Sequence, residues 1–319
     1  MTTLAPVTTP TLDAVRDRGA LRAVVSRGIR GLSLPTATGT WTGLDADVAR
    51  AVAAAALGDP EAIQWLPSDP ADRLEPLYER TAELSVCNLT WTLGREAHRP
   101  VLFAGVTCYD GEGFLVREDS GIEDPGQLAG RRVAVQRGTT SIANLAAWYG
   151  RRGLSVEPVE YATPAQTLAG YASGECAAYV LDRTALAGER AALPDPQAHR
   201  ILDTAISREP MAAAVRDDDA QWYRLCRWVL QLLLSAEHHA DEAGPGGRSR
   251  ALAEAAALAG AHGAAIGLDE EWAARVLDAT GTYAEIYERN LGAASGLGVP
   301  RGLNELWTRG GLHYAVPLN

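Results

Sequence analysis

One arginine with aromatic and polar neighbours is the strongest chemical feature of this sequence. Arg95 lies four residues after Trp91, just beyond the short apolar run 84–86. A guanidinium presents its donors as a planar fork, so it can hold a carboxylate through two parallel hydrogen bonds. Trp91, with Thr90 and Cys87 before it, would form the pocket wall. The segment therefore predicts a binding site for a small carboxylic acid.

Two threonines follow a predicted strand and precede a predicted helix. The hydroxyls of Thr139 and Thr140, together with the N–H groups of the first helical turn, have the composition of an anion site. The alternative is an ordinary threonine N-cap, which needs no ligand.

A carboxylate ends another apolar run. Asp182 follows residues 178–181 and precedes a predicted helix over 183–193. It could accept hydrogen bonds from a ligand ammonium group, or it could simply cap the helix. Arg95, Thr140 and Asp182 together would pair both charges of a zwitterionic α-amino acid in a site that excludes water.

The elements that must position these residues alternate between strand and helix. Strands are predicted over 21–25, 62–66 and 84–86, with helices over 12–18 and 46–57, the latter capped by Asp45, and a helix containing 71–78. Later strands over 132–136, 156–161 and 177–181 alternate with helices over 141–149, 164–173 and 183–193. After residue 210 the chain reads as helical, with a break over 240–248. The pattern predicts an α/β protein of two Rossmann-like lobes, with ligand at the carboxyl ends of strands.

Composition excludes several classes of function. The net charge of −11 opposes binding to nucleic acid. All 29 basic residues are arginine, which excludes a lysine Schiff base and a Walker-type phosphate loop. The four cysteines are widely spaced and indicate no zinc site. No metal and no cofactor are predicted.

The first residues carry no signal for export. Residues 1–7 have neither a basic cluster nor an apolar core, and no apolar run reaches the length of a membrane span. The expectation is a cytoplasmic protein without a membrane span, or a periplasmic or cell-surface protein if the N-terminus has been trimmed.

Several longer stretches carry a family resemblance that runs from Thr11 to the C-terminus. They are Thr11-Leu12-Asp13-Ala14-Val15, Trp41-Thr42-Gly43-Leu44-Asp45, Arg50-Ala51-Val52-Ala53, Thr90-Trp91-Thr92-Leu93, Phe103-Ala104-Gly105-Val106-Thr107, Val135-Gln136-Arg137-Gly138-Thr139-Thr140, Arg289-Asn290-Leu291-Gly292 and Arg301-Gly302-Leu303-Asn304-Glu305-Leu306-Trp307. In these stretches the chain resembles the solute-binding proteins of family 3, in the general L-amino acid subgroup of ABC uptake systems.

The resemblance implies a type II periplasmic-binding-protein fold with a hinge, a cleft and a helical C-terminal region. The expected lobes are residues 1–114 with 210–319, and residues 115–209. The resemblance also implies that Arg95 binds the ligand α-carboxylate with help from Thr140, and that Asp182 binds the α-amino group. An ABC permease would be the partner of a protein that serves uptake.

Two departures from the family pattern favour another function. Cys87 occupies a position where the family usually has arginine, and Glu112 replaces the glutamine of the family's Tyr-Tyr-Asp-Gly-Gln-Gly-Phe. Cyclohexadienyl and arogenate dehydratases share the fold, so Glu112 and Asp110 become candidate acid–base groups whose pKa burial would raise. The alternative for Glu112 is a solvated loop carboxylate.

Three functions follow from these observations. The favoured hypothesis is a cytosolic, cofactor-independent biosynthetic enzyme acting on a bound amino acid or related carboxylic acid, by amine–aldehyde cyclisation or dehydration. The second is the L-amino acid receptor of an ABC uptake system. The third is a cytosolic amino-acid sensor or carrier.

Overall fold

A computed structural model describes residues 9–319 of the chain, so the N-terminal stretch examined for an export signal lies outside the described residues. The described chain divides into two compact units. Unit 1 comprises the described residues up to Gly28, then Leu32–Cys108 and Met211–Asn319, and unit 2 comprises Ile29–Gly31 and Tyr109–Pro210. Apart from the three residues Ile29–Gly31, the chain enters unit 2 after Cys108, six residues before the expected boundary at 114.

The elements up to residue 110 mostly follow the predicted alternation. They are α1 (Pro10–Arg18), β1 (Leu21–Ser26), β2 (Leu34–Pro35), β3 (Trp41–Thr42), α2 (Leu44–Leu57), β4 (Ile63–Ser68), α3 (Glu75–Tyr78), β5 (Leu84–Ser85), α4 (Leu93–Ala97) and β6 (Val101–Asp110). Helix α3 is shorter than predicted, because residues 71–74 form turns. Helix α2 begins one residue before Asp45, so that carboxylate is not the N-cap.

Unit 2 contains the second predicted set of alternating elements, together with a first and a last strand that were not predicted. They are β7 (Glu112–Arg117), β8 (Arg132–Gln136), α5 (Ser141–Gly150), β9 (Glu157–Tyr161), α6 (Pro164–Ala172), β10 (Ala178–Asp182), α7 (Arg183–Ala191) and β11 (His199–Ile201). The sheet order is β11-β7-β10-β8-β9. Strands β8, β9 and β10 are parallel, and β7 is antiparallel to β10. An apolar core that includes Phe114, Val133, Leu145 and Val180 packs against this sheet.

The chain returns to unit 1 through a strand that was not predicted. β12 (Glu209–Arg216) precedes the helices α8 (Ala220–Ala243), α9 (Arg248–Gly260), α10 (Trp272–Thr280) and α11 (Tyr283–Asn290). Helix is predicted after residue 210, and the Met-Ala-Ala-Ala run of residues 211–214 does favour helix by composition. Pairing with a neighbouring strand overrides this preference, because β12 joins the first sheet in the order β4-β1-β5-β12-β6.

The sheet of unit 1 places the ends of several strands at one edge. β1 pairs in parallel with both β4 and β5, and β12 pairs antiparallel with β5 through Ala214 and Ser85. A buried core that includes Val24, Leu77, Leu89 and Phe103 supports it. The carboxyl ends of β1 and β5 therefore lead into neighbouring loops, and one of these loops carries the predicted carboxylate site.

The fold class predicted from the sequence is confirmed: this is a mixed α/β chain of two sheet-containing units with a helical C-terminal region. Over residues 9–319, no helix has the length and apolarity that a membrane crossing requires.

Candidate functional site

Arg95 lies on a short helix and not in a turn. Helix α4 begins after Thr92, whose hydroxyl accepts a hydrogen bond from the Arg95 N–H at 3.2 Å. The partly exposed Arg95 side chain donates from Nη1 to the Thr90 carbonyl oxygen at 2.6 Å. The helix cap fixes the backbone of Arg95, and the Thr90 carbonyl orients its guanidinium.

The residues expected to form the pocket wall differ in their exposure. Trp91 is 38% exposed, stacks on Phe103 at 5.4 Å between ring centroids and donates from Nε1 to Glu96. Thr90 is buried and forms a β-bridge with Met211. Of these two residues of the expected pocket wall, Trp91 is therefore the one whose side chain is exposed to solvent.

Cys87 is a core residue. It is 1% exposed, and its Sγ lies 3.2 Å from the Ser85 hydroxyl. Burial raises the pKa of its thiol, so the side chain stays neutral. All four cysteines, Cys87, Cys108, Cys176 and Cys226, are free thiols and form no disulfide.

A buried polar network lies directly behind the Arg95 segment. Asp45 accepts a hydrogen bond from the Asn88 N–H at 2.9 Å, and Asn88 adopts a left-handed φ of 43°. The Ser26 hydroxyl donates to the Asn88 side-chain oxygen at 2.6 Å. Arg73 donates to the Asn88 carbonyl and to Ser26, both at 3.3 Å. The network fixes the strand ends from which the Arg95 segment departs.

Sequence reasoning missed this network, because its members are dispersed along the chain. Arg73, Asn88 and Asp45 come from three different segments, and only the fold brings them together. Desolvation raises the pKa of Asp45 to about 7, against the Asn88 hydrogen bond and the Arg73 charge, which lower it. Asparagine tolerates a positive φ better than most residues do. The asparagine at position 88 was therefore the local feature of the sequence that could have indicated this backbone conformation.

Thr139 and Thr140 lead into helix α5 in unit 2. Thr139 donates from its hydroxyl to the Gln136 carbonyl at 2.8 Å and accepts from the Ser141 N–H at 3.4 Å. Thr140 occupies the N-cap position without a side-chain capping bond. The Thr140 side chain therefore does not cap the helix, which was the alternative to an anion site. The positive end of the dipole of this ten-residue helix lies at Thr139 and Thr140.

Asp182 ends β10, as the sequence predicted, and is 7% exposed. It occupies the position before α7 without capping the helix through its side chain. In the antiparallel pairing of β7 with β10, Asp182 lies directly opposite Glu112. Directly opposed residues project from the same face of a sheet, so these carboxylates are neighbours.

Glu112 and Asp110 do not lie in a solvated loop. Glu112 begins β7, is 1% exposed and accepts hydrogen bonds from the Ser141 hydroxyl and from Asn144 Nδ2, the latter at 2.9 Å. Burial raises the pKa of Glu112 to about 7, although these two hydrogen bonds lower it. Asp110 accepts from the Thr184 N–H and hydroxyl, and burial raises its pKa as well.

The structure thus forms two groups from the predicted site residues. Arg95, Trp91, Thr90 and Cys87 lie together in unit 1. The second group lies in unit 2 and consists of Asp110, Glu112, Thr139, Thr140 and Asp182. In residues 9–319, no three or more His, Cys, Asp and Glu side chains form a cluster suited to a metal ion.

Comparison with known proteins shows relatives along nearly the whole chain. The general L-amino acid-binding periplasmic protein AapJ of Rhizobium johnstonii is 34% identical, and the match covers 97% of this chain and 92% of AapJ. The glutamate/glutamine/aspartate/asparagine-binding protein BztA of Rhodobacter capsulatus is 36% identical, with 96% of this chain and 93% of BztA covered.

A solved structure shows the same similarity in three dimensions. It is an ABC transporter/periplasmic binding protein from Brucella ovis with glutathione bound. Its sequence is 35% identical, its TM-score is 0.90, and the match covers 98% of this chain and 100% of that one. No family model matches the sequence.

These relatives correct the favoured functional hypothesis. The favoured assignment, a cytosolic biosynthetic enzyme, was wrong, because proteins with 34–36% identity over nearly the whole chain are periplasmic binding proteins. The departures at Cys87 and Glu112 are substitutions at buried positions, and a buried position does not by itself indicate catalysis. The expected cytoplasmic location gains no support from these relatives.

Identity at this level over nearly the full length of both proteins, together with the shared fold, establishes the family. The chain belongs to the periplasmic solute-binding proteins of family 3, in the general L-amino acid-binding subgroup.

Proposed function

We propose that the protein is the L-amino acid receptor of an ABC uptake system, works in the periplasm and delivers its ligand to a permease. The observation that carries this proposal is the 34–36% identity to amino-acid-binding proteins over 96–97% of the chain. This was the second of the three functions that the sequence predicted.

Arg95 is proposed to bind the ligand α-carboxylate. A guanidinium has five N–H donors in a fixed fork, and the Thr90 carbonyl orients Arg95 by accepting one of them at 2.6 Å. Thr140 is proposed to assist with its hydroxyl and with the N–H groups at the start of α5. Trp91, partly exposed and stacked on Phe103, offers the ligand an apolar surface.

Asp182 is proposed to bind the ligand ammonium group. It is 7% exposed and ends a strand whose other residues are buried and apolar. A carboxylate in a site of low polarity pairs strongly with a cation when water is excluded. The two charges of an amino acid would then have separate partners on residues of opposite sign.

Glutathione is a second candidate ligand. The Brucella ovis relative, at 35% identity and a TM-score of 0.90, was solved with glutathione bound. The γ-glutamyl end of glutathione keeps a free α-amino and α-carboxylate group, so the same two residues could hold it. A binding experiment distinguishes these ligands by their affinities.

Isothermal titration calorimetry with the twenty L-amino acids and glutathione tests the proposal. We expect at least one ligand to bind, and Arg95→Lys to weaken that binding by roughly 10- to 100-fold, because a lysine keeps the charge but loses the bidentate contact. Asp182→Asn should cause a comparable loss by leaving the ligand ammonium without its counter-charge.

Arg99→Lys provides the matched control, because Arg99 is an exposed arginine four residues further on. This variant should bind like the wild type. Absence of binding for every ligand would contradict the receptor function. Wild-type affinity in Arg95→Lys and Asp182→Asn would leave the function intact and contradict the assigned residues.

A further inference from the structure

A hydrogen-bonded cluster links two buried glutamates to the first turn of helix α5. The Ser141 hydroxyl donates to Glu112 Oε1, and Asn144 Nδ2 donates to Glu112 Oε2 at 2.9 Å. The same Asn144 Nδ2 donates to Glu209 Oε1 at 2.9 Å. Ser207 donates to Glu209 Oε1 at 2.6 Å and accepts the Glu112 N–H at 3.0 Å. The cluster joins β7, α5 and the start of β12.

This cluster lies at the helix end proposed to receive the ligand carboxylate. Ser141 is the first residue of α5, and Thr140 immediately precedes it. An ionised Glu112 would place a negative charge against this helix N-terminus, where the dipole favours one anion. A ligand carboxylate bound through Thr140 would then be a second anion at the same place, and like charges repel.

The surroundings make Glu112 a poor place for a charge. Its neighbours with charged or titratable side chains are Asp110, two residues before it, Glu209 at the start of β12, and Asp182, which lies opposite it on β10. Arg183, the first residue of α7, lies against the adjacent Gly113. Glu209 is 2% exposed, and its Oε2 has no hydrogen-bond partner. Burial, aided by the charges of Glu209 and Asp110, raises the pKa of Glu112 to about 7. The neutral form is therefore accessible near neutral pH.

We propose that Glu112 is a positioning residue whose protonation state sets the affinity for the amino acid, with the neutral acid supporting ligand binding at the start of α5 and the carboxylate opposing it. The inference rests on the proposed receptor function and deepens it. Because the coupling is reciprocal, ligand binding draws a proton onto Glu112.

Titration calorimetry between pH 5.5 and 8.0, with an amino acid that binds the wild type, tests this coupling. Ligand affinity should fall about tenfold as the pH rises, a typical size for coupling between two sites. At pH 7, titrations in buffers of different ionisation enthalpy should show proton uptake on binding. An amino acid other than histidine or cysteine keeps a constant charge over this range, so with such a ligand the change belongs to the protein.

Glu112→Gln is the decisive variant. Glutamine is nearly the same size and is neutral at every pH, so the fold should persist. Its affinity should be independent of pH, and binding should take up no proton through this position. Ser141→Ala provides a second variant: removal of a hydrogen bond that lowers the pKa of Glu112 should move the transition to higher pH.

Two other carboxyls, one half-buried and one buried, also have a pKa near 7. They are Glu189 on α7 and Asp45 on α2. Glu189→Gln should retain the full pH dependence of binding. The inference is overturned if wild-type affinity does not change between pH 5.5 and 8.0, or if Glu112→Gln keeps the wild-type profile. Absence of amino-acid binding at every pH would instead refute the receptor function itself.

Discussion

Replacing Asp45 by asparagine should stabilise unit 1 to an extent that depends strongly on pH. Asp45 is 2% exposed. Burial raises the pKa of its carboxyl from 3.8 to about 7, and the opposing effects of Asn88 and Arg73 are smaller. The folded protein therefore disfavours the ionised form of Asp45 relative to the unfolded chain.

The size of the effect follows from the difference between the two pKa values. About 7 minus 3.8 is roughly three units, which corresponds to about 4 kcal/mol at 1.36 kcal/mol per unit. Below pH 3.8 both states hold the proton and the penalty is absent. As the pH rises, the unfolded chain releases its proton first, so stability is lost until the folded pKa near 7 is passed. Asparagine keeps an oxygen for the Asn88 N–H and carries no charge.

Urea unfolding between pH 4 and pH 8, followed by tryptophan fluorescence, measures this difference. The free energy of unfolding of Asp45→Asn should exceed that of the wild type by an amount that grows with pH and levels off above pH 7, at about 3–4 kcal/mol. Asp17→Asn, on the exposed face of α1, should run parallel to the wild type. The same parallel behaviour in Asp45→Asn would refute the assignment of a buried, destabilising charge.

Two further substitutions test the scaffold of unit 1. Gly43→Ala should lower the free energy of unfolding in urea by several kcal/mol, because φ is +123° and the new Cβ would lie 2.1 Å from the Leu32 carbonyl oxygen. Gly39→Ala is the control: φ is +86° with no atom near the new Cβ, so the loss should be only about 1–2 kcal/mol. Equal losses in the two variants would contradict the clash at Gly43. Glu83→Ala should cost about 3 kcal/mol, because Glu83 is 2% exposed and accepts hydrogen bonds from Arg22 at 2.5 and 3.0 Å. Glu83→Gln should lose less in the same assay, and an unchanged midpoint in both variants would show that the pairing contributes nothing.

Local patterns were sufficient for most of the elements. The strand Arg132–Gln136 was predicted with its observed bounds, and α5 ended one residue later than predicted. Such elements have a clear apolar period and turn residues at both ends, and these signals are local. β12 was missed because an alanine-rich run gives no local strand signal, and its partner β5 lies more than a hundred residues earlier.

Residue type and position in the sequence suggested the candidate site residues, but they did not show how deeply each side chain is buried. Arg95, Thr140 and Asp182 are visible as single polar residues at the ends of elements. The burial of Glu112 is not visible, because Gly-Glu-Gly reads as a loop, and Ser141 and Asn144 become its partners only when β7 lies beside α5. The choice of enzyme over receptor was wrong, because the departures from the family pattern at Cys87 and Glu112 were taken as a sign of catalysis, whereas both are substitutions at buried positions.

The sequence by itself determined the family and most of the alternation of strands and helices, and it supplied the residues proposed to bind an amino acid, because each of these depends on residue type and short spacing. Only the tertiary structure decided which polar groups lose contact with water. Asp45 and Glu112 owe their raised pKa values to neighbours brought from distant segments. Desolvation depends on everything packed around a group, so it cannot be read from the residues next to it in the chain. The arginine at the end of the Thr90–Arg95 segment was visible from the start, whereas the carboxylate that is proposed to tune the affinity became visible only in the fold.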